Sequence, residues 1–400
     1  MPTVKFALVF AIALTAPSCG EKFDASVFPE IEVTEERSIE YVQLAPVWDG
    51  YNQPEDVHVG YDEFVYVADT GNDRVVMLDI NGTIIGISQR IPHPVAIDQD
   101  RKLDLLVAGR RDTLGTSVAC LYRLRLVPVN HRIENAPPEA VIVHPFYFRN
   151  DLRTGDDLVS FTGVATLSTN EYYVTRAGPS NGSVTQLGGP DNNIILFDQN
   201  DRLESPLTSF LSALGTGEGS ANGITGITTY AVPPQSPLVD TRRGFIVCMK
   251  GENNFKVQGM RFNEGREDTP YEPDRALGTI DTAQGSRFLY DGNPADGVIR
   301  SGFKQPQDLT YSSDNRFIFV VDSGTDSLYQ FTSTGIEGIR PPAFSQAQRN
   351  IIVSFGGEGS GNKQFSDPYG VAYYEPDKIV LVADRGNNRI VRFKLSTDFQ

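Results

Sequence analysis

The chain has 400 residues, and its composition excludes several classes of protein before any motif is considered. Hydrophobic residues make up 40% of it and only three cysteines are present, so a disordered chain and a disulfide-stapled scaffold are both excluded. Aspartate and glutamate outnumber lysine and arginine by 51 to 35, which gives a formal net charge of −16. Because nucleic-acid affinity depends on basic patches that release counterions, no nucleic-acid partner is expected.

The first residues have the features of a secretory signal peptide. An apolar run of nine residues follows Lys5, and small residues follow the run. Such a run is too short to span a bilayer as a helix. Cys19 at the junction resembles the acylated cysteine of bacterial lipoproteins, although the leucine usual three residues earlier is Ala16 here. We predict a signal peptide over residues 1–18 and lipidation of Cys19; ordinary cleavage at the same junction, leaving an unmodified thiol, is the alternative.

Residues 19–37 carry six acidic side chains and two basic ones. A segment of this kind is typical of a solvated tether. We therefore expect an exported protein that is held at the bacterial cell envelope by its lipid alone, on the periplasmic or the cell-surface side. The folded domain would occupy residues 38–400.

One module recurs along that domain, most clearly at residues 53–82, 305–331 and 367–393. Each copy has runs of β-branched and aromatic residues bounded by Gly, Asn and Asp, a pattern that predicts strands joined by tight turns. Weaker copies begin near residues 94, 162 and 225. Six copies with insertions account for the chain, and a seventh, degenerate copy between residues 263 and 302 is the alternative.

The clear copies resemble NHL repeats. They share Pro-x-Gly/Asp-Val followed by Val-Ala-Asp-x-Gly-Asn-x-Arg, whereas the weaker copies match by position only. Together the copies cover about residues 39–398. The resemblance implies an all-β fold, a six-bladed β-propeller (alternatively seven-bladed) of four-stranded sheets. The last copy lacks a fourth strand, so we expect residues 39–44 to pair with it and close the ring.

Six polar residues take the place just ahead of the repeat's Asp or Gly in the predicted innermost strands. They are Glu55, His93, Thr162, Thr225, Gln307 and Tyr369. Propeller topology brings the starts of the inner strands to one mouth of the central channel, and a concave opening with varied polar groups is typical of a ligand site. The alternative is a rim that is polar only because it is wet.

Other conspicuous residues are predicted to be structural. Asp69, Asp322 and Asp384 end a strand ahead of a Gly-containing turn, where a carboxylate can accept backbone N–H bonds. Arg74 and Arg389 lie five residues after Asp69 and Asp384 and can pair with an Asp, whereas Ser327 takes that place after Asp322. Cys120 and Cys248 lie in apolar strands, so we expect them to be buried and inert.

The candidate metal-binding residues distinguish a binding protein from a metal-dependent enzyme. The four histidines hold no set of three matched positions, so the zinc site that the family resemblance implies for lyases is not expected. Glu55, Asp56 and Asp308 would supply oxygen ligands for calcium if blades one and five come close. The prediction is a non-catalytic, monomeric envelope propeller that needs no cofactor and recognises a protein, peptide or glycan. The alternative is a calcium-dependent hydrolase of the lactonase type that uses the carboxylates at the channel mouth.

Overall fold

The computed structural model describes most of the chain after residue 37. The described residues are 38–145, 147–182, 189–206, 219–232, 243–252, 255–263, 271–274, 277, 289, 292–293, 298–299, 302–312, 317–342 and 347–399. The predicted signal peptide, Cys19 and the tether lie outside them. In the part of the chain that is described, no helix has the length and apolarity needed to cross a membrane.

Six four-stranded antiparallel sheets form the fold. The first strand, β1 (Tyr41–Trp48), belongs to the last sheet. Blades one and two comprise β2 (Pro54–Val59), β3 (Val65–Asp69), β4 (Arg74–Leu78) and β5 (Ile84–Ile87), then β6 (Ala96–Gln99), β7 (Asp104–Thr113), β8 (Thr116–Arg125) and β9 (Glu139–Val143). Blades three and four comprise β10 (Ser160–Thr166), β11 (Tyr172–Ala177), β12 (Asn193–Phe197) and β13 (Leu203–Pro206), then β14 (Ile224–Thr229), β15 (Phe245–Met249), β16 (Val257–Phe262) and β17 (Tyr271–Pro273).

A two-stranded hairpin, β18 (Gly292–Asn293) and β19 (Val298–Ile299), precedes the last two blades. Blade five comprises β20 (Pro306–Ser312), β21 (Phe317–Asp322), β22 (Ser327–Thr332) and β23 (Phe355–Gly356). Blade six comprises β24 (Pro368–Tyr374), β25 (Ile379–Asp384), β26 (Arg389–Leu395) and β1. Short 3-10 turns cover Thr70–Asn72, Val127–Val129, Ile133–Asn135, Asp156–Leu158, Arg385–Asn387 and Ser396–Asp398. The predicted all-β propeller is confirmed.

The ring has six blades because blades four and five touch directly. Thr225 Oγ1 donates a hydrogen bond to the Pro306 carbonyl at 2.7 Å. Gly226 lies so close to blade five that a Cβ atom there would come within 3.0 Å of Asp308 Cα. No further blade fits between them, so the seven-bladed alternative is wrong. Where the structure describes the interval from 263 to 302, it contributes β17, the last strand of blade four, and the hairpin β18–β19.

The ring closes as predicted. Strand β1 pairs antiparallel with β26, with Tyr41 opposite Leu395 and Leu44 opposite Arg392. The Tyr41 hydroxyl donates to Gln330 Oε1 of blade five at 2.8 Å, which ties the closing strand to the neighbouring blade. The strand continues beyond the predicted residues to Trp48. The chain therefore leaves no open edge on the third strand of blade six.

Packing between blades explains why the second strand of each clear copy is apolar throughout. Strands β3 and β25 are buried along their whole length, because a neighbouring blade covers each face. Cys120 in β8 and Cys248 in β15 are fully buried, and burial raises the pKa of the Cys120 thiol to about 12. The prediction that both cysteines are buried is confirmed.

The aspartates of the repeat hold the turns together. Asp384 accepts the Ser366 N–H at 2.8 Å and Arg389 Nε at 2.7 Å. Asp69 makes the equivalent pair of contacts in blade one. Asp322 has no arginine partner in its copy and accepts three backbone N–H groups at 2.6 to 2.9 Å. Their predicted structural role is confirmed.

Candidate functional site

The inner strands of all six blades line one cavity of about 650 Å³, here called the central channel. It extends from the first residues of these strands, such as Glu55, to residues beyond their ends, such as Tyr61 and Glu375. Its volume lies within the range of small-molecule sites. All six residues of the predicted ring line it, and we call the end that they surround the mouth: Glu55, His93, Thr162, Thr225, Gln307 and Tyr369.

Most of the ring residues owe their placement to a β-bulge. In blade one the ladder pairs Pro54 with Asp69 and Asp56 with Ala68, so Glu55 is the extra, unpaired residue. The same interruption leaves out four more ring residues, namely Thr162, Thr225, Gln307 and Tyr369. Because a bulge bends its strand and re-aims the extra side chain, the repeat itself turns these residues to the mouth.

Blade two departs from the predicted alignment. Its strand pairing places Ile97, not Val95, in register with Val57 of blade one. The residue equivalent to Glu55 is therefore Val95, and His93 lies two residues before it. His93 still lines the mouth, but from the loop that leads into the strand.

An ion pair that the sequence did not indicate lies at the mouth. Arg385 Nε is 3.2 Å from Glu55 Oε1, and Arg385 Nη1 donates to Asp367 Oδ2 at 2.6 Å. The guanidinium also lies over the Tyr369 ring, 4.6 Å from its centroid. Burial raises the pKa of Glu55 to about 6, against the opposing effect of Arg385. The buried Nε therefore faces the Glu55 carboxylate rather than the open channel.

Further basic residues line the mouth, namely His93, Arg110 and Lys250. The Arg110 guanidinium donates to uncharged oxygens, including the carbonyls of Ser117 at 2.6 Å and Asp157 at 2.5 Å. These bonds fix the guanidinium without neutralising it. Burial, and then the charge of Arg110, lowers the pKa of His93. Arg110 and Lys250 thus bring positive charge to the mouth of a strongly acidic protein.

Deeper in the channel, three aspartates join neighbouring blades. Each accepts a backbone N–H from the inner strand of the next blade: Asp56 from Ile97 at 2.6 Å, Asp98 from Thr166 at 2.5 Å and Asp308 from Val371 at 2.9 Å. The inner strands have no partner strand on the channel side, so these N–H groups need an acceptor. The carboxylates supply it.

Burial raises the pKa of all three of these carboxyl groups, that of Asp308 to about 7. The charge of Asp308 raises the pKa of Asp56 further. His58 Nε2 lies 3.3 Å from Asp98 Oδ1, while burial lowers the pKa of the imidazole. Burial therefore favours the uncharged form of these carboxyl groups, and His58 offsets that effect only in part, at Asp98.

The predicted calcium ligands Glu55, Asp56 and Asp308 all line the channel. Asp56 and Asp308 share the channel, but each is held by a backbone N–H, and Glu55 faces Arg385. Across the described ranges, no group of three or more His, Cys, Asp or Glu residues is arranged to hold a metal ion.

Neither a protein-family model nor a curated protein matches the sequence. Solved structures do share its architecture. An auxiliary nutrient binding protein from Bacteroides thetaiotaomicron has a TM-score of 0.52 at 10% identity, over 86% of this chain and 70% of its own. A second from Bacteroides ovatus has a TM-score of 0.50 at 12% identity, over 90% and 78%. A gluconolactonase from Xanthomonas campestris has a TM-score of 0.51 at 8% identity, over 89% of each chain. At these identities the similarity shows the fold alone.

Proposed function

We propose that the protein is a non-catalytic binding propeller of the bacterial cell envelope, tethered through an acylated Cys19, that takes a ligand into the mouth of its central channel. The observation that carries the proposal is the convergence of the six ring residues on one cavity of about 650 Å³. A rim with a structural role alone tends toward one residue type. This rim combines an acid, an imidazole, two hydroxyls, an amide and a phenol, which is the variety a specific ligand needs.

The polar groups near the mouth are held rather than poised to react. Arg385 engages Glu55, Ser323 Oγ accepts a hydrogen bond from Gln307 Nε2 at 2.7 Å, and Thr225 is bound to the next blade. A fixed polar rim orders a ligand at little cost in conformational entropy. Two of the proteins that share the fold are themselves auxiliary nutrient binding proteins, which is compatible with a binding role.

The test is capture of a ligand from native membranes by the full chain. Glu55→Ala, His93→Ala and Tyr369→Ala should each weaken capture by about 1 kcal/mol or more, since each removes a contact in the mouth. Ile84→Ala, on the exposed outermost strand of blade one, is the matched control and should bind as the wild type does. Melting temperatures recorded in parallel exclude unfolding. Capture that survives all three substitutions would contradict the proposal.

A second measurement distinguishes the proposed binding function from a calcium-dependent hydrolase. A metal bound only by the folded protein raises its melting temperature. Under the binding proposal, calcium and magnesium at equal ionic strength should leave the same melting temperature. A rise specific to calcium that is lost in both Asp56→Asn and Asp308→Asn would favour the hydrolase instead.

A further inference from the structure

The two levels of the central channel carry ionisable groups of opposite type. At the mouth, Arg110 and Lys250 line the cavity. Farther along the inner strands, Asp56 and Asp308 line the same cavity. Successive residues of a strand advance about 3.3 Å, so one small molecule can touch both levels.

The basic level is suited to a carboxylate. Arg110 is fixed by carbonyl oxygens of Ser117 and Asp157, which leaves its charge unbalanced by these bonds. The Lys250 side chain is exposed, and its charge acts on Glu55 in the mouth. A carboxylate placed here would accept charge-assisted hydrogen bonds from the Lys250 ammonium group, while Arg110, whose N–H groups already donate to protein oxygens, would attract it by charge.

The acidic level is suited to an ammonium group. Asp56 and Asp308 are fixed by the N–H groups of Ile97 and Val371, so both carboxylates keep their places when the channel is empty. Blade six contributes Gly370 between them, and a Cβ atom there would lie 2.6 Å from Asp56 Cα. No side chain from that blade therefore separates the two carboxylates at this level. A cation held there would stabilise the ionised form of both carboxyl groups, which burial otherwise disfavours.

We propose that the ligand is a short zwitterionic peptide, with its carboxylate at the basic mouth and its ammonium group between Asp56 and Asp308. This inference rests on the proposed binding function and specifies its ligand class. A cavity of about 650 Å³ accommodates a few residues and not a folded partner. The free amino terminus is essential, because an acylated peptide would leave the aspartates unpaired.

Calorimetry on the full chain in detergent tests the assignment with three probes that differ in their terminal charges. These are alanyl-alanine, its N-acetyl derivative and its amide. Alanyl-alanine should bind at least about tenfold more tightly than either blocked form. Lys250→Gln should weaken binding of alanyl-alanine and of the N-acetyl form only. Asp308→Asn, which retains an oxygen for the Val371 N–H, should weaken binding of alanyl-alanine and of the amide only.

Equal affinity for the three probes, or no binding of alanyl-alanine, would overturn the proposal that the ligand is a zwitterionic peptide. The capture experiment then separates the two proposals. A native ligand that depends on Glu55, His93 and Tyr369 but is not a peptide with a free amino terminus would retain the binding function and refute its ligand class. Loss of that dependence as well would refute both.

Discussion

Asp308 of blade five accepts the backbone N–H of Val371 in blade six at 2.9 Å, and so joins the inner strands of two blades. Asp308→Ala should lower the free energy of unfolding by about 1 to 3 kcal/mol, because it leaves a half-buried N–H without its acceptor. Asp308→Asn keeps an acceptor and should cost less. Urea unfolding of both variants measures the difference. An equal loss in Ala and Asn would mean that charge, not the hydrogen bond, matters.

The same residue predicts a dependence of stability on pH. Burial raises the pKa of Asp308 to about 7 in the folded chain, whereas the pKa of an aspartate in the unfolded chain is about 4. Between these values the folded state binds more protons than the unfolded state. The contribution of Asp308 to stability is therefore greatest at low pH and is lost as the pH rises through 7.

Between pH 4 and pH 8, the unfolding free energy of the wild type should fall relative to that of Asp308→Asn by about 1 kcal/mol or more. Urea titrations at fixed pH values give this difference. Glu55→Gln is a useful companion, because burial raises the pKa of Glu55 in the same direction. Parallel pH profiles for the wild type and Asp308→Asn would contradict the assigned cause.

Much of the fold could be predicted because its strongest local signals coincide with its packing. The β3 and β25 strands are apolar on both faces, and Asp69 and Asp384 mark their ends, so the module was visible without any structure. Blade two lacked those marks. Its run from Val95 to Ile97 is apolar throughout, and such a run fits more than one register until its partner strand is known.

The site was predicted in outline but not in its chemistry. The ring residues follow from position in the repeat, yet the bulge that aims Glu55 is visible only in the ladder. Arg385 lies in the turn that follows Asp384, for which the sequence predicts a structural role. It belongs to blade six and contacts Glu55 of blade one. For Asp56 and Asp308 the sequence predicts calcium ligands. It does not show that each carboxylate accepts a backbone N–H from the next blade.

Replacing Asp384 and replacing Asp322 should lower the free energy of unfolding by different amounts, although the two residues take the same place in the repeat. Asp384→Ala takes away the partner of Arg389, whose side chain is 12% exposed, and should cost about 3 to 5 kcal/mol. Asp322→Ala leaves backbone N–H groups without an acceptor but leaves no cation unpaired, and should lower the free energy of unfolding by about 1 to 3 kcal/mol. Chemical denaturation of the pair measures the ranking. The reverse order would show that the backbone bonds outweigh the ion pair.

The anchor is tested by a single substitution. Cys19→Ser removes the thiol that acylation requires, so the protein should leave the membrane fraction and appear in the soluble fraction with a changed amino terminus. Two or more acyl chains anchor a protein stably, whereas a single chain does not. Cys120→Ser, at a buried thiol, is the control and should remain with the membranes. Unchanged partitioning of Cys19→Ser would show that another feature holds the protein there.

The closing strand predicts how far the amino terminus can be shortened. Deleting residues 20–37 should leave the melting temperature unchanged, since the folded strands begin later. Deleting residues 20–44 removes half of β1, exposes the edge of β26 and uncovers Phe393, which packs against Tyr41 in one buried cluster. The second deletion should cost at least about 3 kcal/mol or cause aggregation.

A milder variant separates the closing strand's edge pairing from its side-chain contacts. Tyr41→Phe retains the ring and the backbone ladder but loses the hydroxyl that donates to Gln330, so it should cost about 1 kcal/mol. Calorimetric melting of this variant beside the two deletions gives the order of effects: none for residues 20–37, small for Tyr41→Phe and large for residues 20–44. If the two deletions melt alike, β1 does not hold the ring closed, and the stability of blade six must come from its contact with blade one.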